Sequence, residues 1–249
     1  MPYQNIAYLD NSSTSPVCRE AADKALYMMT GCFGNPSSLH SLGYEAELEL
    51  TAARKSIAAL LGAKPDCITF TSGGTEANNL AVLGGAAARQ RAGKHIVTTA
   101  IEHHAILNSM RELEGQGFEV TYLQPDSQGR VSVDDLKAAL RKDTILVSIM
   151  MVNNEVGSVM PISQMAKLTH RLCPDAIFHT DAVQGFLKVP FQAKSLGADL
   201  ISVSSHKIHG PKGAGALYIS PRLRSFPALL LGGGQEGGYR SGTEGTPAI

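Results

Sequence analysis

The stretch AIFHTDAVQGFLKVPFQAKSLGADLISVSSHKIHGPKGAGALYIS, residues 176–220, holds three β-rich runs: AIFHTDA (176–182), DLISVSS (199–205) and GALYIS (215–220). Nearly continuous apolar runs of this kind suit strands covered on both faces of a mainly parallel sheet. The pattern extends toward the N-terminus. CITFTS (67–72), HIVTTA (95–100), FEVTYL (118–123) and TILVSIMMV (144–152) are further runs. Helix-length segments lie between runs: TEANNLAVLGGAAARQR (75–91), VDDLKAALRK (133–142) and PISQMAKLTHRL (161–172). The alternation predicts an α/β protein with a mainly parallel seven-stranded sheet sandwiched by helices. Ahead of it, Leu50, Ala53, Ile57, Leu60 and Leu61 share one face of a helix over 41–61 that lies on the sheet, with Gly62 as its stop signal.

The chain has 249 residues, 22 basic and 22 acidic, so its formal charge is zero. That balance argues against a nucleic-acid surface, which needs a basic excess. With 43% hydrophobic and 18% charged residues the composition is that of a globular protein. No apolar run approaches the roughly 18 residues of a membrane span. The start, MPYQNIAYLD, does not read as a signal peptide, so no membrane association and a cytoplasmic location are expected. Cys18, Cys32, Cys67 and Cys173 form no C-x-x-C pair and are expected to be buried or inert. No linker interrupts the chain before PRLRSFPALLL (221–231), which with the Gly-rich stretch after it reads as the exit from the sheet. Ten of the 25 glycines crowd between Gly210 and Gly245.

Polar residues collect where the β-runs end. TFTSGGTEANN (69–79) passes from a strand through a Gly-Gly turn to Thr75 and Glu76 at a helix start. Such a turn lets a ligand approach the backbone, and the free N–H groups of the helix N-terminus attract an anion such as phosphate. The same residues read equally as a plain turn with Thr75 as N-cap. HTDAVQG (179–185) sets Asp181 and Gln184 at a strand end, where open parallel sheets bind ligands, although an isolated Asp there also suits a turn cap. SVSSHKIHGPKG (202–213) runs into Ser204, Ser205, His206, Lys207, His209 and Lys212. Extended alternation puts Ser204 and His206 on one side. A lysine among hydroxyls and imidazoles can form a Schiff base with an aldehyde. The plainer reading is a basic solvent loop, which suits Lys212. IEHHAI (101–106) and MVNNEVG (151–157) add His103, His104, Asn153, Asn154 and Glu155.

These five clusters are expected to meet at one sheet edge, and one ligand uses them all. Pyridoxal 5'-phosphate offers a phosphate to the Gly74–Thr75 turn, Ser204 and His206, an aldehyde to Lys207, a cationic ring nitrogen to Asp181 and a flat ring to His103. A metal hydrolase built on His179, Asp181, His206 and His209 is a remote alternative, because it leaves Lys207 and the Gly-Gly turn without a purpose. No metal is expected.

On YLDNSSTSP (8–16), FGNPSSLH (33–40), TSGGTEANNLA (71–81), EHHA (102–105), VNNEVG (152–157), HTDAVQ (179–184), SSHKIHGPKG (204–213) and GGGQEGGYRSGTEGTPAI (232–249), the sequence resembles the class V aminotransferase family, and within it the cysteine desulfurases of the NifS and IscS type. The resemblance implies the large domain of a fold-type I transferase dependent on pyridoxal phosphate, over 16–249 behind an N-terminal arm at 1–15. It implies that Lys207 holds the cofactor's aldehyde, Asp181 faces the pyridine nitrogen and Gln184 the ring hydroxyl. His103 would stack on the ring and move protons, and Asn154 would sit near the ring hydroxyl and substrate. Gly74, Thr75, Ser204 and His206 would hold the phosphate. Thr243 would reach the phosphate of a neighbouring subunit, which implies a homodimer.

The implied reaction turns L-cysteine into L-alanine and passes the sulfur to an enzyme cysteine, for iron–sulfur cluster or other sulfur assembly, with a sulfur-acceptor or scaffold protein as possible partner. The family's nucleophilic cysteine and carboxylate-gripping arginine lie beyond the RSGT segment. The expectation is therefore of a C-terminally truncated chain without the small domain, able to bind the cofactor but not to complete sulfur transfer. Ser12, Ser13 and Gly237 depart from the family pattern. The resemblance leaves two alternatives: another class V activity, such as a selenocysteine lyase or an aminotransferase, or a non-catalytic paralogue that serves as a dimer partner.

Overall fold

A computed structural model describes residues 6–223 and 226–249. The first five residues of the arm and residues 224–225 of the exit segment lie outside the described residues. Among the described residues, β1 (Ile68–Thr71), β2 (His95–Thr99), β3 (Glu119–Leu123), β4 (Thr144–Ser148), β5 (Ile177–Asp181), β6 (Leu200–Ser204) and β7 (Gly215–Ile219) form one sheet in the order β1-β7-β6-β5-β4-β2-β3. Neighbours pair parallel except β7, which is antiparallel to both β1 and β6. The reason is chain length. A parallel return needs a crossover of roughly a dozen residues or more, and the loop after β6 is shorter and holds no α-helix.

Adjacent residues on the strands enter different cores. Ile96, Leu146, Ile177, Leu200 and Leu217 pack with α3 (Gly74–Arg89) and α4 (His104–Gly115). Their neighbours Val97, Val147, Phe178, Ile201 and Tyr218 pack on the opposite face with α2 (Ser41–Leu61), α5 (Val133–Ala139) and α6 (Ile162–Leu172). Strands apolar at every position are what such two-sided burial requires. The edge strand β3 is the exception: most of its side chains are partly exposed.

α2 has the bounds that its apolar face predicts, and it ends where Gly62 takes the left-handed conformation, φ 62°. Two elements are shorter than their sequence patterns suggest. β4 stops at Ser148, beyond which Met150 N–H turns to the Glu102 carboxylate while Ile149 and Met151 N–H still reach β5 at His179 O and Asp181 O. α5 opens on a Ser132–Asp135 capping box and ends at Ala139, after which Leu140 is extended. α1 (Arg19–Thr30) precedes this set, and a short turn, α7 (Ala193–Leu196), leads into β6.

The chain leaves β2 for β3 on one side and comes back as β4 on the other. Crevices form beyond the carboxyl ends of strands at such a reversal. No helix of the described residues is long and apolar enough to cross a membrane.

Candidate active site

A cavity of about 460 Å³ opens beyond the carboxyl ends of β2, β4, β5 and β6. Gly74, Thr75, His103, Asn154, Asp181, Gln184, Ser204, His206 and Lys207 all line it. Of the site residues implied by the sequence, Thr243 stands apart. It lines a separate pocket with Phe70, Ser72, Gly213 and Arg240.

β5 and β6 deliver Asp181 and Ser204 at their last residues, whereas His103 and Asn154 lie in the segments that follow β2 and β4. Asp181, the last residue of β5, is 6% exposed. Its Oδ1 accepts from Val183 N–H at 2.9 Å and its Oδ2 from Asn78 Nδ2 at 2.6 Å. Burial pushes this carboxyl up, opposed by those two bonds and by the charges of His103 and Lys207. Asp181 thus serves as a turn cap as well as a pocket acid.

Lys207 ends a short 3-10 turn, Ser205–Lys207. Its ammonium donates to Ser12 O and, at 2.8 Å, to Ser13 O. Burial and then the charge of Lys188 hold the amine below the usual lysine value, against Asp181 and Asp10. Gln184 Nε2 also donates to Ser12 O, at 2.6 Å, and Gln184 Oε1 accepts from Lys188 Nζ at 3.0 Å. The arm is tied to the same turn: Ser15 N–H and Oγ donate to His206 O, and His209 N–H donates to Ser15 Oγ. Ser12 and Ser13, the family departures, therefore meet the key lysine through their carbonyls rather than their hydroxyls.

His103 caps α4. Its Nδ1 accepts from Ala105 N–H at 3.1 Å, so a neutral ring carries its proton on Nε2. His206 is kept below the usual imidazole value by burial and by Lys207, Lys212 and Lys188.

Two sequence expectations need correction. Ser204 and His206 do not share a side through strand alternation, because β6 ends at Ser204 and the 3-10 turn carries His206 to the pocket. Thr75 is not the N-cap of α3. Gly73 is, and the Ser72 N–H is taken by Glu76 at 2.8 Å. Of the four cysteines Cys18 is exposed, while the other three are buried and all are free. None lines the cavity. His179 is fully buried between the Ser148 and Ser202 hydroxyls, which occupy both ring nitrogens and remove it from any metal set. Lys212 is an exposed loop residue.

The donor set fits pyridoxal phosphate. Ser204 Oγ and Asn78 Oδ1 are buried without a hydrogen-bond partner, and both residues line the cavity. Orphaned polar atoms at a pocket wall await a polar ligand. A Cβ on Gly74 would meet Val183 Cγ2 at 2.8 Å and Ser204 Cβ at 3.5 Å, so only glycine leaves room beside the turn at the start of α3. A buried acid and a lysine in the lining of one cavity suit a ligand with a cationic ring nitrogen and an aldehyde.

Several supporting residues escaped the sequence reading. Asn78 lies one helical turn beyond Thr75 on α3, which is the signal that finds it. Glu76 also pairs with Arg240 at 2.7 Å, and bonds from Arg240 and Ser72 hold it below the usual carboxylate value against burial. Glu236 accepts from both Arg54 Nη atoms and from Phe70 N–H. Those two pairs anchor the Gly-rich segment that carries Thr243.

The family model described as Aminotransferase class-V matches residues 7–248. The chain is 49% identical over 242 residues to a protein of Methanosarcina thermophila named cysteine desulfurase IscS, and 48% identical over 242 residues to one of that name from Dictyoglomus turgidum (strain DSM 6724 / Z-1310). Each alignment covers 97% of this chain, and 59% and 61% of the relatives, so the chain spans about three fifths of their length. Among solved structures, a NifS-like protein superposes with a TM-score of 0.94 at 39% identity, covering 97% of this chain and 66% of the other. A structure titled SspA in complex with cysteine gives 0.93 at 39% identity, covering 98% and 70%. The chain belongs to the class-V aminotransferase family.

Proposed function

We propose that these residues form the pyridoxal 5'-phosphate-binding large domain of a cysteine desulfurase, which converts L-cysteine to L-alanine and hands on the sulfur. The observation that carries the reading is the convergence of Lys207, Asp181, His103, Gln184 and the Gly74–Ser204 cradle on one cavity. The names of the relatives and the cysteine-bound neighbour support the substrate.

When bound, pyridoxal phosphate supplies an aldehyde for amines and a conjugated ring that takes up electrons released at a substrate Cα. The chain's own residues do the rest. Gly74 and Thr75 at the start of α3, with the Ser204 hydroxyl and His206, hold a phosphate. Asp181 would keep a ring nitrogen protonated, and Gln184 with Asn154 would face a ring hydroxyl. Lys207 presents an amine that burial has made easier to deprotonate, which suits attack on a carbonyl. His103 would stack on the ring face and exchange a proton through Nε2. Thr243 would reach the phosphate of a second copy, which makes a homodimer the working unit of this reading. The four free cysteines suit a reducing cytoplasm, and an acceptor or scaffold protein for iron–sulfur assembly is the partner that receives the sulfur.

With no cysteine in the cavity wall, the sulfur-accepting thiol comes from outside this pocket. The test supplies the chain with pyridoxal phosphate and L-cysteine and follows both absorbance and alanine. The cofactor spectrum is expected to respond to L-cysteine while alanine stays substoichiometric. Catalytic alanine formation by these 249 residues alone would contradict the external thiol, and a spectrum indifferent to L-cysteine would contradict the substrate.

A further inference from the structure

Two residues beside the cavity have no part in that scheme, yet they join the loops that build it. Glu102 precedes His103 in the loop after β2. It is 5% exposed, and its Oε1 accepts from Thr99 Oγ1 at 2.7 Å and from Met150 N–H, beyond the end of β4, at 2.9 Å. Asn153 precedes Asn154 in the loop after β4 and is equally buried. Its Nδ2 donates to Ile101 O, in the loop after β2, at 3.0 Å. Its Oδ1 accepts from Glu155 and Val156 N–H, both at 2.9 Å, and shapes the turn in which Asn154 sits. Each loop thus sends one buried side chain into the backbone of the other.

We propose that Glu102 and Asn153 are positioning residues, a reciprocal clamp that locks the loop of His103 to the loop of Asn154 and fixes both side chains at the cavity. The clamp acts through its neighbours, since neither Glu102 nor Asn153 lines the cavity. Backbone N–H and C=O groups at strand ends have lost their ladder partners, and buried ones must be satisfied elsewhere. The clamp does this for Met150 N–H and Ile101 O.

The surroundings of the Glu102 carboxyl favour its neutral form. Its Oε2 is buried with no partner, and no ion pair reaches it among the described residues. Burial, with a smaller push from the charge of Asp181, raises it to about 8 against the bonds from Met150 and Thr99. A neutral acid beside Asp181 also spares the cavity a second negative charge. Glutamine should therefore replace it: the amide oxygen accepts both bonds and the NH2 takes the place of the O–H.

The role assigned to His103 and Asn154 rests on the proposed function, so the experiment has two arms. The first is amide hydrogen exchange on the full chain without cofactor. Glu102→Ala is expected to speed exchange roughly tenfold in both 100–105 and 150–157, although only one segment carries the change. Asn153→Ala does the same from the other side, and carries the comparison should Glu102→Ala fail to fold. Glu102→Gln exchanges like the unaltered chain. The second arm adds pyridoxal phosphate. The alanine variants keep the absorbance band, because Lys207 is untouched, but lose its induced circular dichroism, and Glu102→Gln retains it. Faster exchange confined to the substituted segment, or Glu102→Gln behaving as Glu102→Ala, overturns the clamp. A missing band in the unaltered chain counts against the cofactor reading alone, and the exchange arm still decides the clamp.

Discussion

Ser204 carries a buried hydroxyl, 2% exposed, that has no hydrogen-bond partner among the described residues. Removing it breaks no hydrogen bond, so Ser204→Ala should leave stability within about 0.5 kcal/mol of the unaltered chain. The same change should weaken pyridoxal phosphate binding at least about tenfold, because a hydrogen bond to a charged group contributes roughly 1.5–3 kcal/mol. Thermal melts and a cofactor titration check the two halves separately, and loss of stability without loss of affinity would make Ser204 structural. Lys207, Asp181, Gln184, His103 and Asn154 were legible in the sequence because each follows a β-run, and strand ends in a parallel sheet face one crevice. Asn78 was weakly marked, by its place one helical turn beyond Thr75, while the bond that gives it a role joins it to Asp181, 103 residues away. Glu102, one residue before His103, carries no sequence signal of its own. Its bond to Met150 spans 48 residues and exists only once β2 and β4 pair.

Elements explain how a glycine-rich segment becomes a defined structure. Glu236, its side chain 1% exposed, satisfies the N–H of Phe70 on the edge strand β1 and forms a two-pronged pair with Arg54 of α2. Arg54 also lies 4.7 Å from the Phe70 ring centroid and donates to Ile68 O. Removing the acid leaves a guanidinium and a strand N–H without their partner, so Glu236→Ala should cost about 3 kcal/mol in urea unfolding, the low end for breaking a buried pair because Arg54 keeps some exposure. A cost below about 1 kcal/mol would mean that the segment is held by other contacts. The element plan itself was legible, since each of the seven β-runs became a strand and the 41–61 helix has its predicted bounds. The ends were less so. β4 ends where the Glu102 carboxylate takes the Met150 N–H, and the start of α3 is set by Gly73 and Glu76 rather than by Thr75, effects of tertiary pairing that residue patterns do not encode.

At the scale of the whole molecule, buried titratable groups set opposite limits on stability. His179 is held neutral by burial and falls to about 3 from 6.5. The unfolded chain binds a proton there below 6.5 that the folded chain refuses, so stability falls as pH drops from about 6.5 toward 3. Asp199, kept below its usual value by His170, Phe178 N–H and Arg222 despite burial, adds to the acid loss. Glu102 acts at the other end. It ionises near 4.5 when unfolded and near 8 when folded, so its contribution is full below 4.5 and is lost as pH rises to about 8. Unfolding by urea across pH should therefore show Glu102→Gln gaining on the unaltered chain between those values. A pH-independent difference would place an ionised carboxylate there.

The central claim is that Lys207 covalently engages pyridoxal phosphate in this cavity. It is tested most directly by adding the cofactor, recording the absorbance near the visible edge, reducing with borohydride and mapping the modified peptide. The account predicts a band in the unaltered chain, cofactor mass on Lys207, and neither in Lys207→Ala. A band that survives the substitution, or cofactor mass on another lysine, would contradict it.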